Sequence, residues 1–133
     1  MYHHLTIAVA PVTKKNSMKI INIHGRPRIL PSDKYRKFET LATPFCPYLL
    51  INEPVNIEAH YYMPTRRRVD ITNLEAALLD LLVHAGTLED DNCSIVVSTD
   101  GSRVHYDKQN PRIEVFITSA DDAEPEFLKT KNN

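Results

Sequence analysis

The chain has 133 residues, 42% of them hydrophobic and 25% charged, with a formal net charge of −1. That length suits one domain with a real core rather than two, and the composition is that of an ordinary globular protein. No apolar run approaches the roughly 18 residues that would span a bilayer, and the start of the chain lacks a signal-peptide core, so a cytoplasmic protein is expected.

In chain order, Leu5 to Val9 alternates weakly and predicts a first strand. Lys14-Lys15-Asn16-Ser17 is a polar turn, and residues 18–30 (MKIINIHGRPRIL) read as two short strands turning at Gly25. Ser32 is a good N-cap for a helix whose Tyr35, Phe38 and Leu41 share a face. Pro44, Pro47 and Pro54 punctuate a loop around the apolar stretch Tyr48 to Ile51. Pro54 to Met63 is a strand with Val55, Ile57, Ala59 and Tyr61 on one side.

After Pro64 and an arginine run, a helix begins near Asn73. It carries Leu74, Ala77, Leu78, Leu81, Leu82 and Ala85 at helical spacing and stops at Gly86. Those leucines belong to a core or a dimer interface. Ser94 to Ser98 predicts a short buried strand, and Pro111 to Thr118 a last strand with Ile113, Val115 and Ile117 on one face. The result is an α+β fold: one small domain over residues 1–118, a mixed sheet of about five strands with two principal helices on one side. Residues 119–133 form a charged tail without periodicity, expected to be flexible.

The small net charge hides an asymmetry. Residues 1–72 hold 11 Lys/Arg against 5 Asp/Glu, whereas residues 73–133 hold 5 against 12. Such a division suits a protein that attracts a polyanion with one surface and a cation with another. Cys46 and Cys93 are far apart and read as free thiols, and the six histidines form no zinc pattern.

Chemistry concentrates in residues 66–91, RRRVDITNLEAALLDLLVHAGTLEDD. Mg²⁺ wants hard oxygen ligands and binds through one or two carboxylates plus a phosphate oxygen and waters. Asp70 precedes the helix and Asp90-Asp91 follows it, so both could serve one ion if the strand near Ser94 returned beside the strand ending at Met63. Adjacent carboxylates diverge in an extended segment, which favours Asp91 as ligand with Asp90 in support. Asp100 is a further metal candidate. Thr72-Asn73-Leu74-Glu75 reads as a capping box, with Glu75 engaged in capping. Arg66, Arg67 and Arg68 are expected to hold DNA phosphates, with Lys14 and Lys15 as further contacts.

The ordered combination of PVTKKNS, the 66–91 stretch and DGSRVHYDKQNPRIEVFI resembles the RusA family of Holliday junction resolvases over roughly residues 5 to 118. The resemblance implies a homodimeric Mg²⁺-dependent endodeoxyribonuclease (Mn²⁺ being the alternative ion), often carried by phages and prophages. Such enzymes act in DNA recombination and repair, nicking two strands of a four-way junction symmetrically. It implies that Asp70 and Asp91 are metal-binding catalytic acids and that Asp90 pairs with the latter. Two positions depart from the family pattern: Thr72 replaces an acid, and Ala76 replaces a lysine. The alternative that these departures suggest is a junction-binding protein that no longer cuts.

Overall fold

A computed structural model describes residues 1–13 and 18–120. The first strand is longer at its start than the alternation suggested: β1 runs Tyr2–Ile7. Next come β2 (Met18–Ile23), β3 (Arg26–Pro31), α1 (Asp33–Ala42), a single 3-10 turn at Thr43–Phe45, β4 (Val55–Met63) and α2 (Ile71–His84). Three further strands follow: β5 (Val96–Ser98), β6 (Arg103–Tyr106) and β7 (Arg112–Ser119). Residues 14–17 and 121–133, and with them most of the expected tail, lie outside the described residues.

Five strands form one mixed sheet in the order β1-β7-β4-β5, with β6 also pairing with β4. β7 is antiparallel to both β1 and β4, whereas β5 and β6 run parallel to β4. Period-2 alternation decides what each face carries. Leu5 and Ile7, then Val55, Ile57, Ala59 and Tyr61, then Ile113, Val115 and Ile117 all turn inward and are buried. Both helices cover that face, adding Tyr35, Phe38 and Ala42 from α1 and Leu74, Ala77, Leu78, Leu81 and Leu82 from α2. The architecture is the expected α+β layer, with helices on one side.

Ser32 caps α1 as predicted, its Oγ accepting from the Tyr35 amide at 3.2 Å. Leu41, expected on the buried face, is instead 49% exposed, and Ala42 takes the inward position. At 100° per residue, position 42 falls near Tyr35 and Phe38, while position 41 is turned roughly a quarter circle away. β5 also differs from expectation: Ile95 is buried just before it, but Val97 within it is 51% exposed.

β2 and β3 form a separate two-stranded ribbon closed by His24 and Gly25, with φ of 53° and 75°. Two successive positive φ values are what a two-residue hairpin turn with the proper twist requires.

α2 runs back along β4. Near its start, the Glu75 charge acts on Tyr61 in the last third of β4. At its end, the Gly86 and Thr87 carbonyls accept from the Leu49 and Ile51 amides, each at 3.1 Å, just ahead of Val55. The helix therefore begins beside the end of β4 and ends beside its start.

Candidate functional site

The segment joining β4 to α2 carries the arginine run. Pro64 follows the strand, and Arg66, Arg67 and Arg68 are all exposed. The end of β4 is tied to the end of β6 by the Asp107 amide, which donates to the Met63 carbonyl at 2.9 Å. This juxtaposition lays the Arg66 guanidinium over the Tyr106 ring, 4.1 Å from its centroid. An open cleft of about 320 Å³ lies there, with Met63, Val69 and Val104 as apolar lining and Arg66, Arg67 and Tyr106 among its polar and aromatic residues.

Asp70 is the last extended residue before α2 (φ −91°, ψ 125°) and is its N-cap. The capping box expected at Thr72 does not form, since the N-cap lies two residues earlier and Thr72 sits exposed within the first turn. Asp is as competent a cap as Thr, and its charge suits the positive end of the helix dipole. Yet the Asp70 carboxylate makes no capping bond; its Oδ2 accepts from Asn73 Nδ2 at 3.2 Å, and the residue is exposed. Glu75, released from the expected capping, raises the Tyr61 phenol pKa together with the larger effect of burial. That phenol oxygen is buried with no hydrogen-bond partner among the described residues.

Asp90 is engaged locally. Its Oδ1 accepts from the Asp91 amide at 2.8 Å and its Oδ2 from Asn92 Nδ2 at 3.0 Å. Those bonds, led by the Asp91 amide, hold its carboxyl below the usual carboxylate range. This is a side-chain-stabilised turn, continued by the Ser94 amide donating to Asn92 Oδ1 at 2.9 Å. Asp91, next in line, is exposed.

The structure does not bring Asp70 and Asp91 together within one chain. The 14 residues of α2 put about 21 Å between its ends. Asp91 is held at the far end, because the Glu89 amide donates to the Ile51 carbonyl (2.9 Å) and the Val55 amide to the Ile95 carbonyl (2.7 Å). The strand after Ser94 does return beside β4, but it meets Val55 and Asn56 rather than Met63. Asp100 lies at that same end, its backbone clasped by Asn56: Asp100 N–H donates to Oδ1 at 2.8 Å and Nδ2 donates to the Asp100 carbonyl at 3.2 Å. Among the described residues, no three His, Cys, Asp or Glu side chains gather closely enough to hold a metal ion. Lys14 and Lys15 fall outside the described residues.

Sequence reasoning missed the residues on the sheet face away from the helices. There His60 Nε2 meets Glu58 Oε2 at 2.6 Å and His60 Nδ1 meets His105 Nε2 at 2.8 Å. The His105 ring stacks on Tyr62 with centroids 4.5 Å apart, and the Arg112 guanidinium lies 3.9 Å from the Tyr62 centroid. Desolvation, followed by the charges of His60, Arg103 and Arg112, lowers the His105 pKa. The alternation of Glu58, His60 and Tyr62 in β4 was a readable signal for that face. The partner from β6 was not, since its pairing is long-range.

No helix among the described residues is long and apolar enough to cross a membrane. A search of curated proteins returned no match. Residues 8–118 match the family described as Endodeoxyribonuclease RusA, a stretch that runs from the end of β1 to the end of β7 and holds the arginine run and all four candidate aspartates. This chain belongs to the RusA endodeoxyribonuclease family, whose members are Holliday junction resolvases.

Proposed function

We propose that this protein is a homodimeric, divalent-metal-dependent endonuclease that resolves four-way DNA junctions by paired symmetric nicks. The observation that carries the reading is the Asp70 carboxylate, which stands exposed at a helix start, two residues after three exposed arginines, and makes no capping bond. Its hard oxygens fit Mg²⁺, or Mn²⁺ in its place, with Asp91 as the other acid and Asp90 supporting it. Such an ion, when bound, neutralises charge on the phosphate and activates a water. Arg66, Arg67 and Arg68 hold the backbone phosphates beside it.

Because Asp70 and Asp91 flank α2 at opposite ends, one chain alone supplies half of each site. Two copies related by a two-fold axis, with their α2 helices antiparallel and adjacent, set Asp70 of one copy against Asp91 of the other, twice. The α2 positions Thr72, Ala76, Leu79 and Val83 recur at helical spacing, are exposed or half-buried, and are small or apolar, as a helix–helix contact requires. A two-fold pair has two equivalent sites, matching a junction cut on two strands.

A second reading, a junction-binding protein that no longer cuts, is favoured by Thr72 and Ala76 standing where the family pattern has an acid and a lysine. Incubating a synthetic four-way junction with the protein and Mg²⁺ or Mn²⁺, with Asp70→Asn as control, separates the two. Symmetric nicks absent from the control support cleavage, and retardation without product supports the second reading. Failure to retard any DNA at low salt, where phosphate contacts are strongest, sinks both.

A further inference from the structure

The geometry points to the cleft between the arginine segment and β6 as a pocket for one unstacked DNA base, with Tyr106 as its stacking platform. This inference rests on the junction-nuclease reading and adds the means by which a branch is told from continuous duplex.

Three features of the cleft fit a nucleotide. Its volume, about 320 Å³, lies at the low end for small-ligand pockets. Its apolar lining from Met63, Val69 and Val104 suits the faces of a heterocycle. Arg66 and Arg67 at the same cleft supply positive charge for the attached phosphate, and Thr65 and His105 supply polar groups for base edges. Tyr106 is 41% exposed at the end of β6, paired across the sheet with Met63, so part of its ring is open to a ligand. The Arg66 guanidinium lies over that ring, 4.1 Å from the centroid. Proteins that hold single-stranded bases stack them on aromatic side chains within positively charged grooves, and this cleft brings an aromatic ring and two arginines together.

The location adds a functional consequence. The pocket is built on residues 63–69, which lead directly into Asp70. A nucleotide seated there would anchor the strand only a few residues from the proposed cutting site. Extrusion is easiest where a base is already unpaired or at a strained crossover, so the pocket would reward branched and bulged DNA over continuous duplex.

The test uses the full chain with Ca²⁺ in place of Mg²⁺. A photo-activatable 5-iododeoxyuridine is placed at the branch point of a four-way junction, at a single-base bulge, or within uninterrupted duplex. Irradiation followed by peptide mass spectrometry is expected to find the adduct on Tyr106 for the first two and not for the third. In parallel, Tyr106→Ala is expected to weaken junction binding about tenfold relative to duplex binding, with Tyr106→Phe close to the parent protein. Equal loss on both DNAs in Tyr106→Ala, or adducts elsewhere while the junction still binds, and is cut once Mg²⁺ replaces Ca²⁺, overturns the pocket and leaves the nuclease reading standing. Absence of binding to any of the DNAs overturns both.

Discussion

His60 and His105 share a hydrogen bond between two parallel strands, with 2.8 Å from Nδ1 to Nε2, while Glu58 holds the other nitrogen of His60. Such a contact accommodates one proton between the two rings and not two. Desolvation first, then the charges of His60, Arg103 and Arg112, disfavour the charged form of His105 in the folded state, so its pKa falls below the ordinary 6.5. Between that lowered value and 6.5 the unfolded chain binds more protons than the folded one, so stability is complete above about pH 6.5 and is lost as pH falls through the window. Thermal melts between about pH 7 and pH 5 should show this decline, and His105→Phe, which keeps a ring against Tyr62, should flatten it. An unchanged slope in that variant would assign the decline to other groups. The carboxyl pKa values of Asp90 and Glu114 are also lowered, but from ordinary values of 3.8 and 4.5, so their losses come at more acid pH.

Exchanging Asp70 for Asn keeps a good cap residue while removing the anionic ligand. Cleavage with Mg²⁺ should drop at least about 100-fold, in keeping with the several kcal/mol that a bound metal contributes to such transition states. Junction affinity measured with Ca²⁺ should stay near the parent value, and the melting point should hardly move. A variant that cuts as well as the parent would remove Asp70 from the site.

Mixing two inactive variants discriminates between a site within one chain and a site shared by two. A heterodimer of Asp70→Asn and Asp91→Asn chains concentrates both defects in one shared site and leaves the other intact. After unfolding and co-refolding, the mixture should regain nicking of a single strand per junction, visible on denaturing gels. No recovery, in a mixture shown to form heterodimers, would refute the shared site.

Arg68→Ala should weaken binding to junctions of any sequence by a similar factor. The slope of log affinity against log salt should become shallower by about 0.9 for one lost phosphate contact on duplex. Titrations at several salt concentrations give that slope, and an unaltered value would place Arg68 away from the backbone.

Leu81 is fully buried among residues of α2 and the sheet. Leu81→Ala removes apolar surface and leaves a cavity, which should cost about 2–5 kcal/mol of stability in denaturant unfolding. A loss below about 1 kcal/mol would mean that the helix repacks freely there.

The layered fold was legible because its long elements repeat. Period-2 alternation marks β4 and β7, and the 3.6 period marks α2. β6 was not read, since four residues with only half-buried side chains at best carry no pattern, and the strand exists because β4 offers an open edge. The start of α2 was expected at Thr72 but lies two residues earlier, because Asp70 is the last residue with extended backbone. The candidate acids were legible as residue types but not as a cluster. Whether Asp91 meets Asp70 depends on where β5 joins β4, and spacing along a chain does not encode that register.

Among the described residues the β2–β3 ribbon pairs only with itself, and it shows Ile20 at 73% and Ile29 at 66% exposure. A lone hairpin is marginally stable in water. Its cross-strand amides can therefore open and reclose while the five-stranded sheet stays shut, at a free energy well below that of global unfolding. In deuterium the ribbon should take up label first. The protein therefore carries a small arm that can melt and reform without disturbing the core.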